Sequence, residues 1–274
     1  MQTRIEPDAK RARYHFESLG ELGEYINATK RTWPDNSSET DTRIDDLGAG
    51  YAGAVRMARF GWIEGAEKAQ EALKAFAPMT PQPDTKTDVY GFRPHVPRFC
   101  AGAPDSMIRH TVTPSMGCGK VLTLIVPVNA LAHVSAKSMA NFGTAVAQYV
   151  NQLETDGTRV ELIGAIVSDV EGWRVAHTFV VKYADQPLDL AVVAFAIGHP
   201  AMFRRLGFGL RERCAAPYTP GYGRSTPARV DDMINAPPGA VVLNGMTEAD
   251  TRAPTAEKAL AYVSAQIEKA LQEA

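Results

Sequence analysis

The chain has 274 residues, 45% of them apolar, and its 29 basic and 31 acidic side chains leave a formal net charge of −2, enough material for one large domain without the basic excess of a dedicated nucleic-acid binder. No apolar stretch reaches the roughly 20 residues that span a bilayer, and the first residues lack the apolar core of a signal peptide, which excludes membrane insertion and secretion as expectations. Cys100, Cys118 and Cys214 are odd in number and widely spaced, so they read as free thiols in a reducing compartment rather than a disulfide framework or zinc site.

Residues 1–118 read as a mainly helical and irregular N-terminal extension packed on a core that follows. Phe16, Leu19, Leu22 and Ile26 suggest one short helix starting near Glu17 or Ser18. Residues 33–46, polar and acidic with Pro34, Ser37 and Ser38, are expected to be a mobile surface loop. From Ala49 to Phe76 an apolar stripe including Val55, Ala58, Ile63, Ala66, Ala69 and Leu73 predicts a helix or helix pair interrupted at Gly61. The prolines between Pro78 and Pro97 predict an extended link.

Residues 119–274 are the organised part. Val121, Leu122, Leu124, Ile125, Val126 and Val128 form an apolar run without helical period, the mark of a strand buried on both faces. Val134 and Met139 flank Ser135 as a hydrophobic staple around an N-cap, and Phe142, Val146, Tyr149, Val150 and Leu153 continue one helical face to a stop at Gly157. Val160 to Val167 is a second buried strand, parallel to the first through this crossover. Glu171 and Gly172 supply a turn, and the alternation from Trp173 to Tyr183 predicts an antiparallel strand at the sheet edge. An apolar, Ala-rich segment follows, His199-Pro200 opens a helical stretch through Arg213, and residues 215–238 form a long Pro- and Gly-rich loop. Ala240 to Leu243 adds a parallel strand, and Leu260, Val263, Ile267 and Leu271 mark a final helix. The expected class is α/β: a Rossmann-like three-layer sandwich, its sheet mostly parallel with an antiparallel edge strand.

The order strand, helix, parallel strand, antiparallel hairpin resembles the opening of the von Willebrand factor A fold over residues 119 to about 273. Members that bind a divalent cation carry Asp-x-Ser-x-Ser after the first strand. Here the stretch is Val128, Asn129, Ala130, Leu131, Ala132 and His133, so the metal site is not carried over and no cofactor is expected. A second resemblance lies in Gly61-Trp62-Ile63-Glu64-Gly65-Ala66-Glu67, Val89-Tyr90-Gly91-Phe92 and the run from Val96 to Met107, which are similar to an uncharacterised family found mostly in bacteriophage and prophage genomes. It implies a cytoplasmic location in a host cell or association with a virion.

Two groups of residues are candidates for function. Asn129, His133, Ser135 and Asp169, with Ser168, sit where open α/β sheets present ligands, at the carboxyl ends of the first two strands, although Ser135 is equally explained as a helix cap and His133 as a plain exposed side chain. Arg204, Arg205, Arg211, Arg213, Arg224 and Arg229 outnumber the acid Glu212 and are interleaved with aromatics including Tyr218 and Tyr222, a mixture suited to a protein interface, to nucleic acid, or to a solvated helix face. Gly117, Cys118, Gly119 and Lys120 precede their strand instead of following it, which is the wrong side for a phosphate loop. The reading that follows is a non-enzymatic protein acting through protein contacts, as a homo-oligomer or a component of a larger assembly. The alternatives are a nucleic-acid or nucleotide-binding accessory protein using the arginine segment, and a hydrolase with a site around Asn129, His133 and Asp169.

Overall fold

Residues 11–16 read Arg-Ala-Arg-Tyr-His-Phe, polar and apolar in strict alternation, which suits a strand with one face in a core and one in solvent. In the structure, a computed structural model, they are a strand. It describes residues 1–34, 37–42, 48–75, 85–90, 93–110, 120–131, 133–170, 172–218, 224–225, 230–246 and 255–273.

β1 (Gln2–Glu6) and β2 (Arg11–Phe16) form an antiparallel hairpin. β2 then pairs in parallel with β8 (Trp173–Lys182), and β8 pairs antiparallel with β7 (Arg159–Val170). β7 lies parallel to β6 (Val121–Pro127), and β6 parallel to the short β10 (Val241–Val242). The order is therefore β1-β2-β8-β7-β6-β10, an α/β arrangement with a mixed, mostly parallel sheet. Two expectations are corrected here. β8 is interior, because the N-terminal hairpin covers the edge it would otherwise expose, and residues 2–16 belong to the sheet instead of to a helical extension.

The crossover matches its sequence signals. α6 (Ala136–Thr155) is capped by the Ser135 side chain, which accepts from the Ser138 N–H at 3.1 Å, and the chain leaves it through Gly157 at φ 92°. α1 (Leu19–Ala28) is capped likewise by Ser18. α3 (Tyr51–Phe60) and α4 (Ile63–Ala75) are the expected pair, broken at Gly61 with φ 78°. A side chain there would also strike the backbone of Ala191 at 2.7 Å, so both torsion and space demand glycine.

After β8, α7 (Leu190–Val193) runs into π-helical turns over Ala194–Gly198, and a second π-helical stretch, Met202–Gly207, leads into α8 (Phe208–Arg211). The last helix, α10 (Ala256–Glu273), packs on α6. One core joins these helices to one face of the sheet: Tyr14 and Phe16, Val175 and Phe179, Leu124 and Val126 meet Leu22, Ile26, Phe142, Val146, Phe195, Leu206, Val263 and Ile267. The opposite face contributes Val167 and Ala176 to a small cluster with Val230 and Met233 of α9 (Val230–Ile234). Among the described residues the second face thus carries one short helix instead of the expected third layer.

The segment expected as a mobile loop is partly anchored. Trp33 is buried and donates through Nε1 to the Ala216 carbonyl at 3.0 Å, while Ser38, in the single-turn α2 (Ser37–Thr40), is fully buried. By contrast residues 85–110 form a separate small sheet, β3 (Thr85–Asp88), β5 (Met107–His110) and β4 (Arg93–Pro94) in the order β3-β5-β4, with the one-turn α5 (Val96–Cys100). No described element of the main body packs extensively against it.

Candidate interaction surfaces

The carboxyl ends of β6 and β7 are closed by the chain itself. The Asn129 side chain donates through Nδ2 to the Val167 carbonyl at 2.8 Å and accepts from the Val167 N–H through Oδ1 at 2.9 Å, extending the ladder past the end of β6. Beyond it, β9 (Arg224–Ser225) pairs with Ser168 and Asp169. Ser135 serves as the cap described above, His133 is exposed, and Asp169 accepts from the Gly172 N–H at 3.2 Å. Asn129 and Ser135 therefore have structural duties, and the four residues are not gathered into one open crevice. The strand entry at Gly117, Cys118 and Gly119 lies outside the described residues, as do Tyr222 and Arg229; Lys120 accepts from the Arg159 N–H through its carbonyl.

Arg204, Arg205, Arg211 and Arg213 are inside the protein, which corrects their reading as a surface. Arg204 donates to the carbonyls of Leu131 and Val134, at 3.3 and 2.7 Å. Arg205, 0% exposed, donates to Ala49 O at 2.8 Å and Ser38 O at 3.3 Å. Arg213 donates to Thr29 O and Gly209 O and pairs with Glu39 at 2.8 Å. Arg211 lies 5.1 Å from the Trp33 ring. Carbonyl-rich turns take up the guanidinium donors, which is why a charge count alone misplaces them. Tyr218 is the exception: it is exposed and meets the edge of Trp33 at 5.5 Å. The side chain of Arg224 lies outside the description.

Two surfaces take their place. On the outer face of the hairpin the register sets Gln2 beside His15, Arg4 beside Arg13 and Glu6 beside Arg11, and continues to Arg174 and Thr178 of β8. Four arginines thus share a face with two carboxylates, Glu6 and, beside Arg174, Asp169 of β7. Between this face and the end of α9, at Ile234 and Asn235, lies a cleft of about 280 Å³. Its walls are fixed: Arg13 Nε donates to Met233 O at 3.0 Å, and His15 Nδ1 lies 2.9 Å from Thr178 Oγ1.

The second surface is the 85–110 arm, in which none of the described side chains is buried. Val89, Val96 and Phe99 are 68%, 63% and 64% exposed, with Tyr90 beside them. Its polar framework is local: the Arg98 guanidinium grips Asp105 through both carboxylate oxygens, at 2.5 and 2.6 Å, holding that carboxyl below the usual range. Cys100 is an exposed thiol on the same arm.

A family model described as a domain of unknown function, DUF7192, matches residues 2–271. The chain belongs to this family. The match carries the hairpin, the arm and the α/β sheet of this DUF7192 chain as a single stretch. No curated protein and no solved structure matches it. Among the described residues no helix is long and apolar enough to cross a membrane, and no group of three or more His, Cys, Asp or Glu could hold a metal ion.

Neither surface was found from the sequence. The Arg-Ala-Arg-Tyr-His-Phe alternation was the available signal for the hairpin, and Val96 with Phe99 at helical spacing was the available signal for the arm.

Proposed function

We propose that this protein acts without catalysis, through contacts with other protein chains, in a homo-oligomer or as a component of a larger assembly. The observation that carries the reading is the arm. Three short strands and one helical turn cannot hold together by burial when no described side chain is buried, and large apolar side chains left in water gain about 1.5–3 kcal/mol each on being covered. A partner surface supplies that cover. The arrangement β8-β7-β6-β10, with β8 antiparallel, supports a distant von Willebrand A-like, Rossmann-like relation. The resemblance to phage and prophage sequences fits a role in an assembly in the host cytoplasm or the virion.

Light scattering across a range of protein concentrations tests this with Val96→Ser/Phe99→Ser, both sites being exposed and so tolerant in the fold. Wild-type chain is expected to self-associate or to capture a partner, and the double variant to remain monomeric and unbound at an unchanged melting temperature. A double variant that associates as the wild type does would refute the arm as the contact element.

The outer arginine face favours a second reading, contact with an anionic polymer such as nucleic acid. Absorbance at 260 nm on the same scattering peak, removed by salt and by Arg13→Gln/Arg174→Gln, would support it over the first.

A further inference from the structure

The buried Arg204, Arg205 and Arg213 find carbonyl acceptors, whereas Arg211 leaves two donors open. It is 2% exposed; Nη1 points at the Cys214 sulfur at 3.6 Å, and Nε and Nη2 have no partner. Of the neighbouring carboxylates, Glu212 accepts from Ser38 N and Oγ, at 3.2 and 2.6 Å, and Asp169, whose charge reaches the guanidinium, accepts from Gly172 and makes no hydrogen bond to Arg211. An interior cation with open donors and no hydrogen-bonded carboxylate is costly, so such a group calls for something that fills it.

Two more orphans lie on the same side of the sheet. His177 is 0% exposed, stacks on Tyr14 at 4.8 Å between centroids, and has no partner at either ring nitrogen. It pairs with Ile166, so Ser168, opposite Val175, is its diagonal neighbour on one face; the Ser168 hydroxyl is buried and also without a partner. The Tyr14 hydroxyl, which accepts from the Ala215 N–H at 2.9 Å, joins this group to the residues that follow α8. The unfilled groups are a guanidinium, a hydroxyl and an imidazole, each able to donate. A water molecule could accept from two of them and would bring no charge to the guanidinium.

We propose that Arg211, Ser168 and His177 form an interior site for a small oxyanion of the phosphate class, at the carboxyl end of β7. Two guanidinium N–H groups, the serine hydroxyl and one imidazole N–H would address its oxygens, and the anion would bond the guanidinium directly. This site is separate from the outer arginine cleft and does not depend on the arm.

The test is a comparison of melting temperatures in phosphate and in chloride at matched ionic strength, with a colorimetric assay for phosphate released when washed protein is denatured in acid. Wild type is expected to carry phosphate already or to be stabilised by it saturably. Ser168→Ala removes a hydroxyl that bonds to nothing in the protein, so it should fold normally and need about tenfold more phosphate. Arg211→Met should lose the response and melt at least as high as wild type in chloride, since an interior cation with open donors has gone. Arg13→Gln, in the outer cleft, should respond like wild type. The proposal is overturned if wild type neither carries nor responds to phosphate, if Ser168→Ala responds as wild type does, or if Arg13→Gln abolishes the response. If Arg211→Met fails to fold, Ser168→Ala decides.

Discussion

Lys182 at the end of β8 has a side chain 2% exposed, yet its ammonium is fully provided for: Glu154 Oε1 lies at 2.5 Å, Val160 O at 2.9 Å and Tyr183 O at 3.0 Å. Glu154, in the last turn of α6, is 15% exposed and so retains a route to water. The pair ties the end of the crossover helix to the strand two elements later, and its two halves are unequal. Glu154→Gln leaves a buried cation with carbonyls but no counter-charge, and breaking a buried pair this way costs about 3–5 kcal/mol, with the two carbonyls favouring the lower end. Lys182→Met leaves a carboxylate that can turn to solvent, so about 1–2 kcal/mol is expected. The double variant should resemble Lys182→Met alone, so the coupling equals the cost of Glu154→Gln, about 3 kcal/mol. Urea unfolding followed by circular dichroism measures all four corners of the cycle. A loss of about 3 kcal/mol corresponds to about 6–12 °C in melting temperature for a chain of this size. Additive single effects, or a Lys182→Met variant less stable than Glu154→Gln, would refute the asymmetry.

Burial lowers the pKa of His177 to about 3 and that of His199 to about 4, so below the ordinary value of 6.5 the unfolded chain takes up protons that the folded chain refuses, and stability should fall on acidification, by about 4 kcal/mol between pH 7 and pH 5 for the two together. Urea titrations in anion-poor buffer check this, His199→Gln should remove about half of the dependence, and a flat profile would contradict it. Gly143 of α6 crosses Gly198 so closely that an added Cβ would sit 2.5 Å from the Gly198 Cα, whereas one on Gly198 would meet Gly143 at 3.3 Å. Gly143→Ala should therefore cost about 3 kcal/mol and Gly198→Ala clearly less, in spite of alanine's better helix propensity, and equal melting temperatures would overturn that account.

The central sheet was legible because its signals are local. Val121 to Val128 and Val160 to Val167 are apolar without helical period, and Ser135 with Val134 and Met139 marks the start of α6 within a residue. The N-terminal hairpin was missed for a tertiary reason: Ala12, Tyr14 and Phe16 alternate correctly, but the strand they form pairs with β8 about 160 positions later, and nothing local announces that partner. The interior location of β8 was lost with it. The site residues failed differently. Asn129 was placed correctly at the end of β6, but whether an amide there faces a ligand or imitates a strand depends on the neighbour it bonds, Val167, which only the fold brings near.

The arginines make the same point with more consequence. Counting charge from Arg204 to Arg213 suggests a surface, yet these side chains bind the N-terminal third to the segment between the π-helical turns and α8: Arg205 holds Ala49 and Ser38, Arg213 holds Thr29 and Glu39, and Glu212 holds Ser38 while its carbonyl accepts from Thr32 and Trp33. Guanidinium groups suit this work because a planar fork of donors can satisfy several carbonyls of irregular chain at once. The described residues of 29–34, 37–42 and 48–49 have little apolar material of their own and are ordered around those donors, just as the hairpin is ordered by β8. The N-terminal segments described so far are thus completed by the C-terminal half, in keeping with a family match that runs unbroken from residue 2 to residue 271. Arg211 belongs to the same row and reaches the Trp33 ring and the Cys214 sulfur, yet it leaves two donors open, and that difference among four neighbouring arginines is the observation behind the proposed anion site.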